Sequence, residues 1–96
     1  MDLDKLVRDK SEEILTISRQ HGARRVQVFG SVARRQSSPR SDLDILVDMD
    51  MGSSLLDVVA IKQDLEDLLG CKVDVVTESA LSPYIRTNIL KEARPL

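Results

Sequence analysis

Two short runs in this chain carry residue types suited to phosphate chemistry: Gly30-Ser31 and, ten residues further on, Asp42-Leu43-Asp44. Gly30-Ser31 stands where a strand can end and a helix begin, so backbone can approach an anion closely. The first helical amides and the Ser31 hydroxyl would then donate to phosphate oxygens. Arg34, one helical turn on, adds positive charge on the same side. Asp42 and Asp44 alternate with Leu43, so on a strand both carboxylates leave the same face, about 7 Å apart. A third acid, Asp74, lies in the run 72–77 and points away from Val73 and Val75. If the two strands are neighbours, the three acids share one face. At about 5 Å, each pair of carboxylates repels by on the order of 3 kcal/mol at an effective dielectric near 20. Such a cluster calls for cations, and oxygen-only ligands select Mg²⁺ or Mn²⁺. No Cys or His cluster competes for zinc. Two such cations stabilise the attacking and leaving oxygens of phosphoryl transfer. Each signal alone is more often a solvated strand face or an ordinary turn; the joint spacing is what points to a site.

These residues need elements to position them. Residues 2–20 read as one helix, since Leu3, Leu6, Val7, Ile14, Leu15 and Ser18 recur at helical spacing, with Gly22 as terminator. Residues 25–29 read as a strand with Val26 and Val28 on one face and Gln27 and Phe29 on the other. A short helix over 31–35 and a loop over 36–41 follow. Residues 43–47 form a second strand. Ser54 to Asp57 resembles a capping arrangement that opens a helix to about Leu69, with a stripe of Leu55, Val58, Val59, Leu65, Leu68 and Leu69. Gly70 closes it, 72–77 is a third strand, and a last helix runs from Ser82 or Pro83 to Glu92. This order predicts an α/β (α+β) fold, a small mixed sheet flanked by helices.

Ninety-six residues make one domain, 1–96, with a thin core and no material for a separate acceptor-binding domain. Hydrophobic residues at 42% and charged residues at 31% describe a globular chain rather than a disordered one. One Phe, one Tyr and no Trp argue against a base-stacking surface, and direct nucleic-acid binding is not expected. The net charge of −2 hides a segregation: residues 18–40 hold no acid and include Arg19, Arg24, Arg25, Arg34, Arg35 and Arg40, while Asp42, Asp44, Asp48 and Asp50 follow at once. A basic block running into an acidic one suits a site that meets both phosphate and metal. The single Cys71 forbids an internal disulfide and reads as a small buried hydrophobe in a reducing, cytoplasmic setting. No apolar run reaches the ~18 residues that cross a bilayer. His21 reads as a helix-end cap, and Tyr84 as a packing residue of the last helix.

With these residues together, the chain resembles the nucleotidyltransferase superfamily of the DNA polymerase β type, on Gly30-Ser31-Val32-Ala33-Arg34 and Ser41-Asp42-Leu43-Asp44. It is most similar to the minimal bacterial and archaeal, MntA-like members, and the likeness covers nearly the whole chain. Arg35 departs from the Gly that minimal members often carry there. The resemblance implies the nucleotidyltransferase fold, with Gly30 and Ser31 as the triphosphate-binding pair and Arg34 and Ser41 beside the nucleotide. It implies Asp42 and Asp44 as metal-binding carboxylates. Asp74 would be the third, which helps hold the catalytic Mg²⁺ and activates the attacking hydroxyl. ATP would be the substrate and AMP the transferred group. A HEPN-domain toxin would be the partner, modified on a Tyr, and the chain its antitoxin. Two other readings stay open: a module that neutralises the toxin by binding alone, and a small-molecule nucleotidyltransferase. A homo- or hetero-oligomer is compatible with either.

Overall fold

The computed structural model describes residues 3–33 and 42–96, and only the backbone of Ser31. Alternating side chains in three strands decide which way the sheet faces. Strands β1 (Ala23–Phe29), β2 (Leu43–Met49), β3 (Val73–Thr77) and β4 (Arg94–Pro95) form one sheet in the order β3-β2-β1-β4. β1 runs antiparallel to both β2 and β4, whereas β2 and β3 are parallel. Parallel neighbours cannot be joined by a hairpin; here the crossover is α4 (Leu55–Leu69). The remaining helices are α1 (Leu3–Asp9), α2 (Ser11–Gln20), α3 (Gly30–Ala33) and α5 (Pro83–Glu92), with a 3-10 turn at Glu78–Ala80.

The helix expected over 2–20 is two helices. Lys10 sits between them at φ −106°, ψ 11°. The Lys10 amide still donates to Leu6 O and the Ile14 amide to Lys10 O, at 3.0 and 2.9 Å, so the break is a bend. Lys10 and Ser11 occupy the positions where the apolar stripe between Val7 and Ile14 would continue, and nothing buried there holds the axis straight.

Leu43, Ile45 and Val47 of β2, Val26 and Val28 of β1, and Val73 of β3 build one sheet face, buried together with Ile14, Ile61 and Leu65. The buried residues of α4 are Ile61, Leu65 and Leu69. Two members of the expected stripe depart from it: Leu55 is 77% exposed and Val59 41%. Leu55 lies in the first turn, ahead of the buried residues, and Val59 lies off the helix face that Ile61 and Leu65 select. The cap forms as expected, with the Ser54 amide donating to the Asp57 carboxylate at 2.8 Å. Gly70 ends the helix at φ 68°.

Three smaller expectations change. His21 does more than end α2: its Nε2 meets Asp64 Oδ2 at 2.8 Å and ties α2 to α4. Tyr84 is 89% exposed instead of packed, because α5 buries none of its residues. Cys71 is half-buried against the core, and burial pushes its thiol pKa up. Among the described residues, no helix is long and apolar enough to cross a membrane.

Ile61→Ala or Leu65→Ala is expected to cost about 2–5 kcal/mol in equilibrium denaturation, through lost burial plus a cavity. Leu55→Ala should stay within about 0.5 kcal/mol of the parent.

Candidate active site

The face of the sheet opposite the core carries the acids. In the parallel β2–β3 ladder Asp44 pairs with Asp74, as Leu43 pairs with Val73 and Ile45 with Val75. Residues paired across a ladder share a face, and neighbouring strands lie about 4.8 Å apart. Burial of Leu43, Val73 and Ile45 on one side therefore puts Asp44 and Asp74 side by side on the other, both half-buried. On its second flank Asp44 pairs with Phe29 of β1. Asp42 stands just ahead of β2, half-buried, where its charge helps raise the Cys71 thiol pKa. The backbone thus gathers the three predicted carboxylates at one end of the sheet. Their side chains do not close on a common point: among the described residues, no three Asp, Glu, His or Cys side chains converge enough to hold a metal ion as they stand.

Gly30 ends β1 and opens α3 at φ 72°. A side chain is disfavoured there on two counts. The left-handed backbone disfavours one, and a Cβ would collide with the Asp44 carboxylate. The Gly30 amide donates to Glu92 Oε1 at 3.1 Å. Ser31 follows within α3. The predicted positions Arg34 and Ser41 lie outside the described residues, as does the loop over 36–41.

Asp74 is positioned through the residue before it. β3 is an edge strand, and α4 takes both backbone polar groups of Val73: the amide donates to Glu66 Oε2 and the carbonyl accepts from Lys62 Nζ, each at 3.0 Å. Lys62 and Glu66 also pair at 3.0 Å. The Val73 amide first, and Lys62 second, hold the Glu66 carboxyl below its ordinary pKa. The Lys62/Glu66 spacing of four was visible as a helical ion pair; its grip on Val73 was not. Glu92 had no sequence signal at all.

Two arginines of the basic block, Arg24 and Arg25, pair with acids on or next to the same sheet. Arg24 pairs with Asp48 at 3.1 Å and with Asp50 at 3.5 Å. Arg25 grips buried Glu78 through both carboxylate oxygens, at 2.8 and 3.1 Å, which raises the Arg25 pKa. Arg25 pairs with Asp48 in the β1–β2 register, and Phe29 with Asp44, so these ion pairs sit at the end of the sheet away from Gly30. A cavity of about 420 Å³ between α1, α3 and β4, lined by Arg8, Val28, Val32 and Arg94 among others, includes none of the three aspartates.

Gly30→Ala is expected to lose about 1–2 kcal/mol from backbone strain alone, read by denaturant unfolding, with a larger loss where Asp44 must move. Glu66→Gln tests the Val73 clamp. Because the folded carboxyl titrates below its reference of 4.5, its contribution is present above that pH and fades as pH falls through the lower folded value. The melting temperature of Glu66→Gln should therefore sit below the parent's at pH 7, and the gap should close in acid.

A family model described as nucleotidyltransferase domain matches residues 11–96. A Methanocaldococcus jannaschii protein named as a protein adenylyltransferase is 41% identical over 87 residues, spanning 91% of this chain and 94% of its own. The protein adenylyltransferase MntA of Thermococcus cleftensis is 38% identical over 92 residues, covering 91% and 93%. A solved minimal nucleotidyltransferase superposes with a TM-score of 0.92 at 47% identity over 100% of this chain and 97% of that one. A toxin–antitoxin crystallised with AMP-PNP shares the fold, with a TM-score of 0.76 at 20% identity over 88% of this chain and 69% of that one. Sequence and fold agree on one assignment: the chain belongs to the nucleotidyltransferase domain family and is a nucleotidyltransferase.

Proposed function

We propose that this chain transfers AMP from ATP to a hydroxyl of a protein partner, a Tyr of a HEPN-domain toxin, and so acts as its antitoxin. The observation that carries the reading is the register of Asp44 with Asp74 beside Gly30. The relatives named as protein adenylyltransferases favour protein as acceptor, and the MntA name and the toxin–antitoxin of the same fold favour a toxin.

The residues divide the work as follows. Ser31 and the amides after it are assigned to the triphosphate, and Arg34 and Ser41 to nucleotide binding. Asp42, Asp44 and Asp74 are an oxygen-only donor set at one end of one sheet face, which fits Mg²⁺ or Mn²⁺ and not zinc. When bound, the cation supplies charge neutralisation at the phosphates. Asp74 takes the proton of the attacking hydroxyl. The hydroxyl oxygen forms its bond to the α-phosphorus while the bond to the bridging oxygen breaks and pyrophosphate leaves. The acceptor hydroxyl arrives on another protein.

The test is transfer of label from α-phosphate-labelled ATP to a co-purified HEPN partner with Mg²⁺. Asp42→Asn, Asp44→Asn and Asp74→Asn should each reduce the rate at least about 10²-fold, the scale set by several kcal/mol of transition-state stabilisation. Label on the partner that survives all three changes would remove the assignment. Protection of cells by the triple variant would instead place antitoxin action in binding alone.

A further inference from the structure

The β1–β4 ladder is two pairs long, Gln27 with Pro95 and Val28 with Arg94. Continued two residues along both strands, that register sets Glu92 opposite Gly30. The contact is made there: the Gly30 amide donates to Glu92 Oε1 at 3.1 Å. Glu92 is the last residue of α5, half-buried, and α5 packs on α3. The Gly30 N–H is thus held by a carboxylate, and the Asp44 carboxylate lies where a Gly30 side chain would stand.

The amide in question is the first N–H of α3, one of the donors that a helix leaves without an intrahelical partner. It is the donor a phosphate would otherwise be expected to use at this turn, and a protein carboxylate has it. The role of Gly30 is then steric and conformational, and phosphate contact falls to the residues after it. A carboxylate on this amide also fixes the peptide plane between Phe29 and Gly30. That plane sets where α3 starts, and hence where Ser31 stands relative to Asp44.

We propose that Glu92 is a positioning residue for nucleotide use: its carboxylate oxygen, by accepting the Gly30 amide, holds the strand-to-helix turn in register with Asp44. This rests on the reading of Ser31 and the amides after it as the triphosphate-binding group. The accepting oxygen at its full reach is what holds the turn. A shift of about 1 Å at such a turn costs up to ~10²-fold in rate.

Three variants separate these features. Glu92→Gln keeps an accepting oxygen at the same reach without the charge; Glu92→Asp keeps the charge but falls short by a methylene; Glu92→Ala keeps neither. In the labelled-ATP assay with the partner, Glu92→Ala and Glu92→Asp should lose about 10- to 100-fold in kcat/KM for ATP, and Glu92→Gln should remain within about 3-fold of the parent. Amide exchange of Gly30, followed by NMR without nucleotide or partner, should accelerate in the first two and stay slow in Glu92→Gln. Should Glu92→Ala fail to fold, the Asp and Gln variants alone decide. Equal losses in Glu92→Gln and Glu92→Asp overturn the proposal, because reach to the Gly30 amide would then not decide the effect. Tighter ATP use by Glu92→Ala overturns it too, making Glu92 a competitor of phosphate. If the parent transfers nothing, the proposed function falls, and Gly30 exchange still decides whether Glu92 holds the turn.

Discussion

The parallel register of β2 and β3 is the constraint on which the site depends. Asp44 lies beside Asp74 only because Leu43 lies beside Val73 and Ile45 beside Val75. A slip of one residue would turn Asp74 into the core and push Val73 and Val75 out toward solvent. The burial of those apolar side chains, worth roughly 1.5–3 kcal/mol each, therefore holds the carboxylates together against their own repulsion. Site geometry here is a by-product of core packing, and α4 is the element that enforces both. Its Ile61 and Leu65 cover the apolar face, while its Lys62 and Glu66 hold the backbone of Val73.

Gly30 is the second fixed point. Its lack of a side chain makes room for the Asp44 carboxylate, and its positive φ lets β1 turn at once into α3. Both demands fall on one residue, so the turn and the first carboxylate cannot vary independently. The C-terminal segment then closes over the same residue, through Glu92 and the short β4 ladder. The last described helix and strand thus meet at the turn between β1 and α3.

Charge is arranged by the sheet rather than by the order of the chain. Arg24 and Arg25 precede the aspartates in a block that contains no acid, yet antiparallel pairing folds them back onto Asp48 and Asp50, and the turn after β3 brings Glu78 to Arg25. Those exposed arginines contribute little as isolated surface pairs; their effect is to neutralise the end of the sheet away from Gly30. Apolar surface stays open on two helices, at Leu55 and Leu56 of α4 and at Tyr84 and Ile85 of α5. In a chain with so little interior, not every apolar residue of a helix can reach the core.

Local signals were enough for much of this. The alternation of 43–47 and 73–75 announced which face each aspartate takes, because a strand has only two faces. Ser54 with Asp57, Gly70, and Ser82-Pro83 marked helix ends, because caps depend on neighbours within four residues. The Gly30-Ser31 and Asp42-Leu43-Asp44 pairs pointed to the family for the same reason. What lay beyond a few residues was not legible. That β2 and β3 are adjacent, that Leu55 and Val59 miss the core, that His21 reaches Asp64, and that Glu92 finds the Gly30 amide all depend on segments distant in the chain. Residue spacing carries the direction of a side chain, whereas the partner it meets is chosen only when the whole sheet and its helices pack.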